Sequence, residues 1–540
     1  MLIAITLHKS YIMALIIMKI EKKYLISIFI HLLFFFILTV FLSACAPVGP
    51  DFVKPEVKIP AQWHEQDIEG LVSGSPDLTT WWNIFNDPVL NTLVESARRH
   101  NNTLEIAGLR VLEARAQLGI VAGSLYPQSQ LAAGSATKTS PPENTGISAN
   151  YWQYSLGASA AWEIDFWGRF RRGVESADAS FMASVAAYNQ ALVLLTAQVV
   201  DSYTAVRLAE EQVRIARENI DIQQRSYDIA EVLFRNGETS ELDMQQANTL
   251  LLSTKATIPS LEVQLTQARN ALSILLGQPP GSINIMLTNG IAIPVVPEEI
   301  AIGFPADMLR LRPDVRQAEL LAMAQNAQVG VAETGLYPSF SLAGSIGLVV
   351  GGPGGSDLGD LFSGDAFTYS LGPSFVWPFL NYGRIKNSIR VQDARLQQAL
   401  VHYRETVLQA AREAENAMAG FIGARRQTVI LAETVESAKR SNTLATLQYK
   451  EGFSDYQRVL NSQQSLFAQH QRYITSQGAA VSNLVALFKA MGGGWEGHGG
   501  DSYISPETQE TMRKRTDWGD LIPTGLEKPV EETMFPAIDW

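Results

Sequence analysis

The chain has 540 residues, a formal net charge of −12 and a single cysteine. The acidic balance excludes the basic footprint that nucleic-acid binding needs, and a single thiol excludes an internal disulfide. A chain this long builds several cores or one very extended structure.

At the N-terminus, Lys19, Lys22 and Lys23 precede an almost unbroken apolar run from Tyr24 to Phe41, and Leu42-Ser43-Ala44-Cys45 follows. A charged region, an apolar core and a small-residue site together read as an export signal. Residues 1–44 are therefore expected to be removed, with Met18 as an alternative start. The pattern resembles the bacterial lipobox, which implies a diacylglycerol on the Cys45 thiol and Cys45 as the mature N-terminus. The alternative is a membrane helix, since the run is about long enough to span. No later apolar run reaches that length, so any further crossing must use β-strands. Residues 45–80 read as an extended segment.

From residue 81 the chain repeats itself. Leu125-Tyr126-Pro127 recurs as Leu336-Tyr337-Pro338, 211 residues on, and Tyr154-Ser155-Leu156-Gly157 recurs as Tyr369-Ser370-Leu371-Gly372, 215 residues on. The offset then stays at 215: Trp167-Gly168-Arg169 matches Tyr382-Gly383-Arg384, Asn236-Gly237 matches Glu451-Gly452, and Leu276-Gly277 matches Met491-Gly492. Residues 81–290 and 291–495 are expected to be two copies of one unit, each running helix, two strands, very long helix, tight turn, helix.

In the first copy a strand near 127–137 is placed mainly by this symmetry. The next strand alternates clearly: Trp152, Tyr154, Leu156, Ala158, Ala160 and Trp162 on one face, Tyr151, Gln153, Ser155, Gly157 and Ser159 on the other. A proline-free stretch from Arg169 to Arg235 carries Val185, Leu192, Val199, Val206, Val213 and Ile220 at heptad spacing, beside Tyr188, Leu195, Ser202, Ala209 and Ala216. At 1.5 Å per residue, such a helix is roughly 100 Å long. Arg235-Asn236-Gly237-Glu238 reverses the chain, the glycine suiting a helix C-cap, and a shorter helix returns to Gly277.

In the second copy Phe340, Leu342, Ile346 and Leu348 alternate with Ser339, Ser341 and Ser345. Phe367, Tyr369, Leu371, Phe375 and Trp377 alternate with Thr368, Ser370, Gly372 and Ser374. Pro373 interrupts this last strand, where it removes a ladder donor. Leu400, Val407, Ala414 and Phe421, with Tyr403, Ala410, Ala417 and Ala424, give the second long helix its seam. Lys450-Glu451-Gly452-Phe453 turns it back towards Gly492. The loops Lys138–Asn150 and Val350–Ala366 are rich in Gly, Pro, Ser and Asn, as external hairpin loops are.

Strands of about ten residues with aromatic ends have the dimensions of tilted membrane strands. Four of them cannot close, and open edges are not tolerated in lipid. Two chains supply eight strands and three supply twelve, so an oligomeric conduit is expected without its copy number being set.

The ordered set Cys45-Ala46-Pro47-Val48-Gly49-Pro50-Asp51-Phe52, Trp81-Trp82 with Phe85 and Asp87-Pro88, Trp162-Glu163-Ile164-Asp165 before Gly168-Arg169, Arg312-Pro313-Asp314 with Ala318-Glu319, and Leu487 to Trp495 resembles the outer-membrane efflux protein family of TolC-like channels, in particular its NodT-type lipoproteins. The resemblance implies an α+β membrane protein: a homotrimer forming a twelve-stranded outer-membrane β-barrel, four strands per chain, continued by a long periplasmic α-helical barrel. It implies a passive exit duct for drugs or other small toxic compounds, partnered by a periplasmic adaptor, an inner-membrane RND pump and outer-membrane lipid. The rival within the class is the exit duct of a type I protein secretion system. The rival outside it is a coiled-coil surface lipoprotein without a pore.

By the same resemblance the aperture is held closed just past the hairpin tips. The expected contacts are Asp455 and Arg458 against Glu241 and Asp243 of a neighbouring hairpin. Arg458 and Asn461 stand where the family often has acids. Asn236, Gly237, Glu451 and Gly452 are the expected adaptor-docking tips. Arg312-Pro313-Asp314 reads as a helix start. Gly351 to Gly355 lacks the Lys-Ser/Thr of a phosphate loop, the mature histidines show no ligand spacing, and no nucleophile–base set is present. No cofactor, metal or catalytic activity is therefore expected. The polar tail 496–540 carries no readable role.

Overall fold

The computed structural model describes residues 47–60, 62–64, 71–74, 77–140, 150–288, 292–302, 305–352, 357–495 and 502–522. Cys45 and its lipobox, the loop centres 141–149 and 353–356, and the ends of the tail lie outside the described residues. In chain order the first elements are β1 (Leu71–Ser73), α1 (Pro88–His100), α2 (Asn102–Gly123), β2 (Ser129–Thr139), β3 (Tyr151–Ile164), α3 (Arg169–Arg235), α4 (Glu241–Lys255) and α5 (Ile258–Leu275). Then come β4 (Ile300–Ile302), α6 (Pro305–Leu311), α7 (Pro313–Glu333), β5 (Ser339–Gly351), β6 (Phe367–Val376), α8 (Arg384–Lys450), α9 (Tyr456–Ala490) and α10 (Pro506–Arg515). They divide into two units, residues 1–52, 118–177 and 323–396, and residues 53–117, 178–322 and 397–540.

The first unit holds an antiparallel sheet in the order β2-β3-β5-β6. Its register places Ala132 opposite Ala158, Ala158 opposite Ile346, and Ile346 opposite Tyr369. Because side chains alternate along a strand, one face carries Trp152, Leu156, Trp162, Leu342, Ile346, Tyr369, Leu371 and Phe375. The other face carries mainly Ser, Thr, Gly, Ala and Gln, with Glu163 and with Leu131, Tyr151, Val349 and Val376. Two serine pairs cross that polar face, Ser135 to Ser155 and Ser345 to Ser370, each with Oγ atoms 2.8 Å apart. Pro373 lies opposite Leu342 on β6, an edge strand of these four, where a missing N–H is tolerated.

The second unit packs the heptad seams. Leu192, Val199, Val206 and Ala216 of α3 and Val407, Ala410, Ala414 and Phe421 of α8 are all buried. Trp81 stacks on Phe488 at 4.9 Å and meets Trp82 edge-on. Asp87 caps α1 by accepting from the Val89 N–H at 2.9 Å, and its other oxygen accepts from the Tyr203 hydroxyl of α3. One window of α3 is apolar enough to cross a bilayer, yet more than half of it is buried. The seam, rather than lipid, accounts for its composition.

Three features depart from the sequence reading. The return leg of the first copy is broken into α4 and α5 beside Pro259, whereas the second, α9, runs unbroken for 35 residues with Ile474 at the equivalent place. Proline lacks the N–H that would continue the ladder and disfavours helix in the residue before it. A short parallel pair, β1 with β4, was not foreseen. Residues 502–522 fold back: Ile504, Met512 and Ile522 bury against Leu112. The Ser505 and Thr508 hydroxyls donate to Glu105 Oε1 at 2.7 and 2.6 Å, holding that carboxyl below its usual range.

His470 on α9 is expected to give this unit a pH dependence. Burial lowers its pKa, with Lys439 and Arg214 adding to the effect and Glu218 and Glu436 opposing it, and its Nδ1 has no hydrogen-bond partner among the described residues. A depressed histidine contributes stability above its ordinary value, lost as pH falls through the folded one. The melting temperature is expected to fall on acidification below about pH 6.5, and His470→Leu to remove part of that fall. Melts at pH 7.5 and 5 check this; equal acid sensitivity in the variant rejects it.

Candidate functional site

The two long helices end identically. The Gly237 N–H donates to Phe234 O and the Glu238 N–H to Leu233 O, both at 2.9 Å. Gly452 donates to Tyr449 O at 3.0 Å and Phe453 to Gln448 O at 2.8 Å. This is the paired bonding of a Schellman cap, which needs a left-handed residue, and Gly237 and Gly452 have φ of +77° and +75°. Asn236, Gly237, Glu451 and Gly452 are all exposed, and Phe453 beside them is 84% exposed.

Behind the tips Ala230, Ala247, Tyr449, Tyr456 and Val459 form a small core shared by α3, α4, α8 and α9. The tyrosine rings meet edge-on at 5.2 Å. The Tyr449 hydroxyl donates to Thr239 Oγ1 at 3.4 Å, and Thr239 donates to Asp243 Oδ2. This relay joins the end of α8 to the start of α4. Burial, and secondarily the Asp243 charge, raises the Tyr449 pKa, the Thr239 bond opposing; burial, then Tyr449 and Asp243, raises that of Tyr456. Both hydroxyls stay protonated at neutral pH, so Tyr449 remains a donor.

The four expected gate residues are therefore divided. Asp243 joins the relay, while Glu241, Asp455 and Arg458 are exposed and no ion pair links them within the chain. Asp455 precedes α9 without a side-chain cap bond. Thr239 and Tyr456 were missed in the sequence. A hydroxyl and a carboxylate four residues apart across the turn were the available signal.

A second built site holds the first described residues. The Val48 N–H donates to Trp167 O at 3.0 Å. Arg172 donates to Val48 O at 3.2 Å, to Gly49 O at 3.1 Å and to Asp51 Oδ1 at 2.8 Å, and Asn326 donates to Pro50 O at 2.8 Å. The fit admits only glycine at its contacts. A Cβ on Gly49 would lie 2.4 Å from Gly330 Cα, and one on Gly168 would lie 2.6 Å from the Pro47 ring. Trp167 stacks on Tyr337 at 4.5 Å and donates to Pro338 O at 2.8 Å, beside the start of β5.

Arg312 is buried between α6 and α7. It reaches Asp314 at 2.7 Å, Glu413 at 2.8 Å and Ala490 O at 3.0 Å. Burial alone would lower its pKa, but the two carboxylates outweigh that and keep it charged. Among the described residues no group of three or more His, Cys, Asp or Glu is placed to hold a metal ion.

The family model described as outer membrane efflux protein matches residues 93–278 and 305–493. The chain is 30% identical over 463 residues to the cation efflux system protein CusC of Escherichia coli O6:H1, covering 84% of this chain and 97% of that one. It is 30% identical over 426 residues to nodulation protein T of Rhizobium leguminosarum bv. trifolii, covering 79% and 89%. The solved structure of the outer-membrane channel OprN superposes with a TM-score of 0.78 at 31% identity, covering 83% of this chain and 99% of that one.

Proposed function

Because the chain belongs to the outer membrane efflux protein family, we propose that it is a lipoprotein anchored through Cys45 that trimerises as the exit duct of a tripartite RND-type efflux pump. The observation that carries this reading is the sheet: four strands, one apolar face, one hydroxyl-lined face and two unpaired edges. Lipid does not tolerate the edges, and three copies close a twelve-stranded barrel with the apolar face outward. Residues 81–290 and 291–495 are the tandem units, and the long helices continue the tube in the periplasm. Energy comes from the inner-membrane pump, and drugs or other small toxic compounds leave by diffusion. The relative named for cation efflux supports a duct permissive enough to carry cations as well. The exposed tips, Asn236-Gly237 and Glu451-Gly452, are the docking points for the adaptor. A photo-crosslinker at Glu451 in intact cells is expected to capture a periplasmic adaptor with an RND pump. Capture of an ABC transporter would assign protein secretion instead.

The closed aperture is held in part by the Tyr449–Thr239–Asp243 relay, and Glu241, Asp455 and Arg458 face the neighbouring hairpins. One hydrogen bond contributes about 0.5–1.5 kcal/mol. Tyr449→Phe is therefore expected to raise the open-to-closed ratio roughly 2- to 10-fold, read as conductance in planar bilayers. Unchanged conductance would remove the relay from the gate.

A further inference from the structure

The apolar face of the sheet is not flat. Small residues Ala132, Ala158, Ala160 and Gly344 floor a groove of about 790 Å³, which Trp162, Leu342, Ile346, Tyr369 and Leu371 wall. Among the side chains of this face that line it, only Gln130, Trp162 and Tyr369 carry a polar group, and the Trp162 indole N–H is already donated to Leu125 O at 3.2 Å. Gly344 keeps the floor low: a Cβ there would already stand 3.2 Å from Leu371 Cδ1. A long, open, hydrocarbon-lined channel of this size suits a linear apolar ligand rather than a polar solute.

The groove begins near the strand ends beside which the N-terminal segment is held. Leu342 stands four residues above Pro338, the partner of Trp167, and Ile346 eight, which at the strand rise is about 13 to 27 Å. One leaflet of acyl chains is about 15 Å deep. Arg172, Asn326, Gly168 and Gly330 fix Pro47 to Asp51 by the contacts given above, and Cys45 is two residues away, within about 7 Å of chain.

We propose that the groove is the seat of an acyl chain of the lipid on Cys45, so that the anchor forms part of the outer face of the sheet. This rests on the lipoprotein reading. The occupant is the chain's own lipid rather than free phospholipid because the clamp on Val48 to Asp51 confines it beside the groove, making binding intramolecular. The Ala and Gly floor is thereby explained: larger side chains would suit bulk lipid equally and leave no slot.

The test feeds cells a diazirine-bearing palmitic acid, illuminates them, and maps adducts in the purified full-length protein by mass spectrometry. The peptide beginning at Cys45 is expected to be joined through its acyl chain to peptides containing Ala158–Trp162 or Leu342–Ile346. Ala160→Phe, and independently Ala132→Phe on the edge strand, are expected to cut that product at least tenfold. Phospholipid adducts in the groove, with the Cys45 chains joined elsewhere, overturn the proposal and leave the lipoprotein reading standing. A Cys45 peptide with no acyl mass before illumination overturns the lipoprotein reading itself.

Discussion

Arg312→Met is expected to destabilise the protein by about 3 kcal/mol, at the low end of the range for breaking a buried ion pair. Methionine keeps most of the volume and removes every donor. Asp314 and Glu413 lose their shared cation, and the Ala490 carbonyl at the end of α9 loses its partner. The two carboxylates retain 26% and 42% of their side-chain exposure, so water recovers part of the loss. Arg312→Lys is expected to fall between, because an ammonium keeps the charge but not the forked geometry. Thermal or denaturant unfolding of the purified protein followed by circular dichroism measures both. A loss under about 1 kcal/mol would reduce Arg312 to an ordinary surface cation.

Arg172→Met has a comparable expected effect by a different route. Its side chain is 6% exposed, and the guanidinium binds two backbone carbonyls of the N-terminal segment besides Asp51 and Glu175. Removing it leaves Val48 O and Gly49 O without that donor, at a cost of about 1–3 kcal/mol for each buried group left unsatisfied. The segment should then detach, and proteolysis within residues 53–60 is expected to accelerate at least tenfold. Asp51→Asn is the control. Asp51 is 91% exposed, so its charge contributes under about 1 kcal/mol, and the backbone bonds to Arg172 survive. Equal protease resistance in wild type and Arg172→Met would show that the glycine contacts alone hold the segment.

These two arginines mark where sequence reading stops. Arg312 was legible as a residue before a helix-starting proline, but not as a bridge to Glu413 and Ala490. Arg172 lies inside a helix with no sequence signal of its role, because its partners in the N-terminal segment are more than 120 residues away. The hairpin ends fared alike. The turn glycines were readable, whereas the relay through Thr239 to Tyr449 joins positions 210 residues apart.

The sequence by itself determined the period-2 faces of β3, β5 and β6, the heptad seams of α3 and α8, and the two glycine turns. Each follows from local geometry: side-chain direction repeats every 2.0 or about 3.6 residues, and a left-handed cap selects glycine. The tertiary structure alone decided which tyrosines close over Asp243, how Val48 to Asp51 is gripped, and where residues 502–522 dock on α2. Those contacts join side chains far apart in the chain, and no local period records them.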